Sequence, residues 1–64
     1  MASASVRLVL IATQDRPGEY VLVDGGTRTV LLGPFYSDAN PAVVAERIAR
    51  RLNVEHRHIP IEWR

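Results

Sequence analysis

The chain has 64 residues, which is the length of one small domain and leaves no room for two. It carries 8 basic and 7 acidic residues, and its net charge of +1 does not favour a polyanionic partner, although every basic residue is arginine. Cysteine is absent, which excludes disulfides, cysteine-ligated metal centres and thiol nucleophiles, and the 47% of hydrophobic residues is typical of a globular domain.

The chain opens with a short tail that is followed by two predicted strands. Residues 1–5 are small and polar, and we expect them to be flexible. Residues 6–13 and 20–24 are rich in β-branched and aliphatic side chains, which favours strands. Between them, Pro17 and Gly18 fit the central pair of a type II turn, whose second residue needs a positive φ.

Two glycines at 25–26 predict a tight hairpin between the second strand and a third strand over 27–32. A two-residue loop at this point places Val23 opposite Arg28. The Gly-Pro dipeptide at 33–34 is expected to end the third strand.

Residues 41–52 predict an amphipathic helix with a capping residue at each end. Asn40 is a favourable N-cap and Pro41 suits the first helical position, while Asn53 can adopt the left-handed conformation that closes a helix. A helix of this length is marginal alone in water, so it must pack on the sheet. The side chains predicted to face the sheet are Val44, Ala45, Ile48, Ala49 and Leu52.

A fourth strand is predicted over 54–64. Pro60 has no N–H to donate, so this strand should lie at a sheet edge or be interrupted there. We expect Ile59, Ile61 and Trp63 to bury together, against the helix or across a contact with a second copy. The Trp63→Ala substitution should then destabilise the protein by about 3 kcal/mol.

The element order is therefore β-β-β-α-β within a single α+β domain over 6–64. A crossover through the helix returns the last strand parallel to the third, and its natural place is beside the first strand. The predicted sheet is mainly antiparallel with strand order 4-1-2-3, and one helix covers one of its faces.

The strands carry more apolar side chains than one helix-covered face requires. A large exposed apolar patch usually marks an interface. We therefore predict a non-enzymatic protein–protein interaction module that forms a homodimer, or binds another protein, through the helix-free sheet face. The residues predicted for this interface are Val9, Ile11, Tyr20, Leu22 and Leu31.

The alternative is a small DNA- or RNA-binding protein that uses arginines on the helix or the sheet. Arg47, Arg50 and Arg51 cluster on the water-facing side of the predicted helix, and the strands add Arg7 and Arg28. Acidic residues throughout the chain offset these charges, whereas strong phosphate binders carry a clear positive excess. A protein partner is therefore favoured over nucleic acid.

No catalytic or metal-binding constellation stands out in the sequence. His56 and His58 share one side of the predicted last strand but lack an evident third ligand, and Ser37 has no nucleophile-elbow context. We expect no cofactor, no small-molecule substrate and no enzymatic activity. No apolar run reaches the ~18 residues that cross a bilayer, and we expect a cytoplasmic protein that does not bind membranes.

Overall fold

The order of strands and helix along the chain is the one predicted from the sequence. The computed structural model describes residues 7–53 and 59–64, so the predictions for 1–5 and for 54–58 lie outside the described residues. Its strands form one sheet in the order β3-β2-β1-β4, and a helix packs on it, which confirms the α+β class and the strand order. The elements are β1 (Leu8–Ala12), β2 (Glu19–Asp24), β3 (Val30–Tyr36), α1 (Pro41–Leu52) and β4 (Ile61–Trp63).

The sheet contains two antiparallel pairs and one parallel pair. β2 runs antiparallel to both β1 and β3, while β4 runs parallel to β1 with Leu10 opposite Ile61. Backbone hydrogen bonds hold β4 at the sheet edge: the Arg64 N–H donates to the Ala12 carbonyl at 2.8 Å, and the Leu10 N–H donates to the Pro60 carbonyl at 2.9 Å. Pro60 therefore precedes the strand and contributes only as an acceptor.

The loop between β2 and β3 is longer than the predicted two-residue turn. The Asp24 carbonyl accepts from the Arg28 N–H at 2.6 Å, and the Asp24 N–H donates to the Thr29 carbonyl at 2.8 Å. A two-residue hairpin turn needs positive φ at both central residues (type I′) or at the first (type II′), but here Arg28 takes the left-handed conformation, with φ 63°, and neither glycine of the loop does. The predicted pairing of Val23 with Arg28 is therefore wrong, and Val23 lies opposite Val30.

β3 continues past the dipeptide that was expected to end it. The strand runs through Gly33 and Pro34 to Tyr36, which edge strands tolerate because one row of their N–H groups needs no partner strand. Gly33 has φ +117°, and a Cβ atom there would lie 3.0 Å from the Tyr20 carbonyl oxygen. Only glycine allows the two backbones to approach so closely.

The predicted turn and both helix caps are confirmed. Gly18 has φ +87° at the second central position of its turn. The Asn40 side chain accepts a hydrogen bond from the Val43 N–H at 3.0 Å, and Asn53 closes the helix in the left-handed conformation with φ 58°. Local side-chain chemistry thus sets both ends of α1.

The core lies between α1 and the sheet face that it covers. Tyr20 and Leu22 belong to this core because their partners on β1, Ala12 and Leu10, point to the helix side. The prediction that Tyr20 and Leu22 lie on the helix-free face is therefore wrong. The buried members of the core are Leu10, Ala12, Tyr20, Leu22, Val44, Ala45, Ala49 and Ile59.

Tyr20 also ties β2 to the segment that leads into the helix. Its hydroxyl donates a hydrogen bond to the Ala39 carbonyl at 2.7 Å, and its ring centroid lies 5.9 Å from that of Phe35. Its exposed fraction is 4%, so the ring fills the core while the hydroxyl keeps a partner.

Two apolar side chains that were expected to be buried are exposed. Leu52 is 49% exposed and Trp63 is 56% exposed. Burial of Trp63 against the helix is therefore wrong, whereas Ile59 is buried and Ile61 packs against the core. Ile61 and the backbone hydrogen bonds position β4, and the indole is not needed for it.

Candidate functional site

The helix-free face of the sheet carries a valine patch that is smaller than predicted. Val9 lies opposite Val23 and Ile11 opposite Val21, and Val30 continues the patch on β3. Ile11 and Val23 are already buried, at 7% and 3% exposure. Of the predicted interface residues, Val9 and Ile11 lie on this face, and Ile11 has little surface left to offer a partner.

An ion-pair network spans the same face. The guanidinium of Arg28, in the β2–β3 loop, forms two hydrogen bonds with the Glu62 carboxylate on β4, at 2.8 and 3.2 Å. Arg64 donates a third at 3.0 Å. The hydrogen bonds from Arg28 and Arg64 lower the pKa of the Glu62 carboxyl. Because β1 and β2 lie between the loop and β4, the Arg28 side chain crosses the valine patch and shields part of it.

A wide apolar groove lies on the other side of the sheet, between α1 and β3. Its cavity has a volume of about 490 Å³, and a neighbouring cavity of about 220 Å³ extends it toward Phe35. We call this surface the leucine groove, and its lining residues are Leu8, Leu22, Leu31, Leu32, Ile48, Arg51 and Leu52. Leu31, Leu32 and Leu52 are 48%, 52% and 49% exposed. Three half-exposed leucines around one cavity form the kind of apolar patch that marks an interface.

A β-bulge brings both leucines of β3 to this groove. In a regular strand, Leu31 and Leu32 point to opposite faces. Here Leu22 pairs with Leu32, and the next residue of β2, Val23, pairs with Val30. Leu31 is therefore an extra residue on β3 that has no paired residue on β2. Bulges re-aim side chains, and as a result both leucines line the same cavity.

The sequence-based interface contains two of the groove residues, Leu22 and Leu31, but on the wrong face. It missed Leu32, Ile48 and Leu52. The sequence contains one signal for the two helix residues, because the apolar stripe of the predicted helix extends to Ile48 and Leu52. The sheet does not bury the C-terminal end of this stripe, because Ile48 is half-buried and Leu52 is exposed.

The arginines of the predicted nucleic-acid surface do not form one patch. Arg47 and Arg51 border the leucine groove, whereas Arg50 pairs with a glutamate of the same helix. Arg28 lies on the opposite sheet face in its own ion pair, and Arg7 lines a separate cavity beside the β2–β3 loop. The helix arginines are therefore separated from Arg28, which lies on the other face of the sheet, and nucleic-acid binding stays a prediction.

A third surface lies at the carboxyl ends of β1 and β4, next to the start of α1. Its cavity has a volume of about 410 Å³, with Trp63 as one wall and the acidic residues Glu19 and Asp38 in the lining. Glu19 is partly neutralised by Arg16, whose guanidinium lies 3.5 Å from it. The exposed indole therefore borders a cleft whose lining includes both apolar and acidic residues.

The predicted histidine pair, His56 and His58, lies outside the described residues. Within 7–53 and 59–64, no three side chains of the metal-ligating types gather into a site, and no helix there combines the length and apolarity that crossing a membrane requires. Comparison of the chain with protein-family models, with curated proteins and with solved structures finds no significant match.

Proposed function

We propose that this protein is a non-enzymatic interaction module that binds another protein through the leucine groove. The observation that carries the proposal is the cluster of Leu31, Leu32 and Leu52, each about half exposed around a cavity of about 490 Å³. Covering such side chains releases roughly 25 cal/mol for each Å² of apolar surface removed from water. Leucines at the centre with Arg47 and Arg51 at the margin also match the apolar core and polar rim of protein interfaces.

The homodimer over the helix-free face stays a prediction, and the geometry supports it less well. A twofold contact brings the same patch of two copies together. On this face the patch includes the pair of Arg28 with Glu62, and removing that pair from water would oppose association. The leucine groove offers exposed apolar area without such a pair at its centre.

Matched variants test whether the groove is the interface. Leu31 and Val43 are both exposed aliphatic residues, at 48% and 36%, but only Leu31 lines the groove. Tagged wild-type protein, Leu31→Ser and Val43→Ser serve as baits in extracts of the native host, after circular dichroism has verified that both variants fold. We expect a protein that the wild type and Val43→Ser retain and that Leu31→Ser loses. Equal retention by all three baits contradicts the proposal.

Sedimentation equilibrium at micromolar concentration tests self-association separately. A monomer excludes the homodimer and leaves binding of another protein through the groove. A dimer that dissociates on Val30→Asp but not on Leu31→Ser moves the interface to the helix-free face, because Val30 belongs to the valine patch. The expected cytoplasmic location is part of the same proposal, and fractionation of host cells tests it.

A further inference from the structure

We infer that the leucine groove accepts an amphipathic α-helix of a partner protein, with carboxylates that face Arg47 and Arg51. The inference rests on the proposed function and specifies the partner's shape and charge. Two observations carry it: the part of the sheet that α1 leaves uncovered, and the charge at the border of that part.

The part of the sheet that α1 leaves uncovered is its β3 edge. Neighbouring strands lie about 4.8 Å apart and a helix is about 10 Å wide, so one helix covers about two strands. α1 packs on β1 and β4, and it also covers Tyr20 and Leu22 of β2. On β3, every residue except Phe35 is exposed. A second helix therefore fits beside α1 along β3, in contact with Leu31, Leu32 and Leu52, at the separation of roughly 8–10 Å that packed helices adopt.

Addition of a partner strand to the edge of β3 fits less well than a helix. Strand addition needs a regular row of free N–H and C=O groups. Pro34 removes one N–H from β3, and the two register shifts against β2 make the edge irregular. The apolar area of the groove comes from the sheet face and from α1, where a helix would contact it.

The border of the groove is positively charged. Arg47 and Arg51 stand four residues apart on α1, so their side chains project from the same side of the helix, one turn apart. Both line the cavities of the groove, and no carboxylate of a described residue does so. Two acidic residues at the same i, i+4 spacing on a partner helix can face both guanidinium groups.

A second copy of this chain does not meet this requirement. A twofold contact through the groove sets its lining in one copy against the same lining in the other, and that lining contains Arg47 and Arg51 but no carboxylate of a described residue. If α1 of a second copy entered the groove instead, the same two arginines would accompany its apolar stripe. Neither arrangement brings carboxylates of the groove lining to Arg47 and Arg51, so the fitting partner is a different, acidic helix.

The test uses the full chain and three designed peptides of about 15 residues, long enough to form a helix. All three share one leucine stripe at helical spacing and carry glutamate, glutamine or lysine at two flanking positions four residues apart. Fluorescence anisotropy of the labelled peptides measures binding. We expect the glutamate peptide to bind at least about tenfold more tightly than the lysine peptide, and less tightly as the salt concentration rises.

Charge reversal on the protein identifies the residues involved. The double variant Arg47→Glu with Arg51→Glu should lose about tenfold in affinity for the glutamate peptide and gain affinity for the lysine peptide. Arg50→Glu is the matched control and should bind like the wild type, because Arg50 does not line either cavity of the groove.

The inference is overturned if the protein shows no preference among the three peptides, or if Arg50→Glu and the double variant lose affinity equally. Absence of binding for all three peptides overturns it as well. The proposed function fails separately, by the bait experiment. A host partner that Leu31→Ser loses but the double charge reversal retains would uphold the groove and reject the acidic helix.

Discussion

Replacing Tyr20 with phenylalanine removes one hydroxyl from the core and leaves the ring in place. The hydroxyl donates a 2.7 Å hydrogen bond to the Ala39 carbonyl, which joins β2 to the segment before α1. The ring contact with Phe35, at 5.9 Å between centroids, is kept. The variant therefore isolates one hydrogen bond, whose partner carbonyl is left partly buried and unsatisfied.

The expected loss in the free energy of unfolding is about 1 kcal/mol, the typical net value of such a bond. In a domain of this size the total is on the order of 5 kcal/mol, so the loss is a large fraction of it. The same loss corresponds to a fall in Tm of roughly 4–8 °C. Tyr36→Phe is the matched control, because Tyr36 is 73% exposed, and its effect should stay within about 0.5 kcal/mol.

Urea unfolding followed by far-UV circular dichroism measures both variants against the wild type. The slope of the free energy against urea should be the same in all three, since the surface exposed on unfolding is unchanged. If Tyr20→Phe and Tyr36→Phe unfold at the same urea concentration, the bond to Ala39 contributes nothing and this account of how β2 is tied to the helix start is refuted.

Three further predictions concern the helix cap, the ion pair and the indole. Asn40→Ala should lower the free energy of unfolding by about 1 kcal/mol because the Val43 N–H loses its acceptor. Asn40→Asp keeps an acceptor and should retain most of that stability, and thermal unfolding measures both variants. The pKa of the Glu62 carboxyl is lower in the folded than in the unfolded protein, so the ionised carboxylate stabilises the folded state. This stabilisation is complete above the unfolded-state pKa of about 4.3 and is lost as the pH falls through the lower folded-state pKa. Urea unfolding at a series of pH values should therefore show Glu62→Gln below the wild type at neutral pH and equal to it in strong acid, with a smaller gap in high salt because the pair with Arg28 is exposed. Trp63 should emit with a water-like fluorescence maximum and be quenched by iodide, because its side chain is exposed. Trp63→Ala should lower the free energy of unfolding by less than about 1 kcal/mol, in place of the larger loss expected from the sequence. A blue-shifted emission that iodide does not quench would contradict the exposure of Trp63.

The helix and the strand order were predictable because local rules decide them. Asn40 and Asn53 cap α1 through contacts within a few residues, and the stripe that includes Val44 and Ala49 faces the core as its spacing requires. The position of β4 beside β1 follows from the crossover connection, whatever the side chains.

The β2–β3 loop was not predictable because distant contacts take part in it. The Asp24 carboxylate accepts from the Gly26 N–H at 2.8 Å, which favours a longer loop than the glycine pair suggests. Arg28 then adopts a left-handed conformation and reaches Glu62, 34 residues away in the sequence. Propensities within the hairpin contain no information on that partner.

The same limit explains why the candidate site was placed on the wrong face. Strict alternation puts Leu31 and Leu32 on opposite sides of a strand, and only the bulge seen in the pairing of β2 with β3 brings them together. Tyr20 and Leu22 were assigned to a partner surface although the helix already covers them. The sequence shows that the strands carry more apolar side chains than one core needs. Which face carries them depends on the register between β2 and β3.

The three-residue pairing of β4 with β1 has a consequence for the time course of folding. β1, β2 and β3 pair with neighbours along the chain, whereas β4 must return from beyond the helix to reach β1. Because so long a loop is closed for so few hydrogen bonds, we expect β4 to pair last during folding and to open first. The Arg64 amide should therefore exchange with solvent deuterium earlier than the paired amides of β2. The bond of Arg28 to Glu62 joins the β2–β3 loop to this strand, and we expect Glu62→Gln to speed the exchange of the Arg64 amide while leaving that of the β2 amides unchanged.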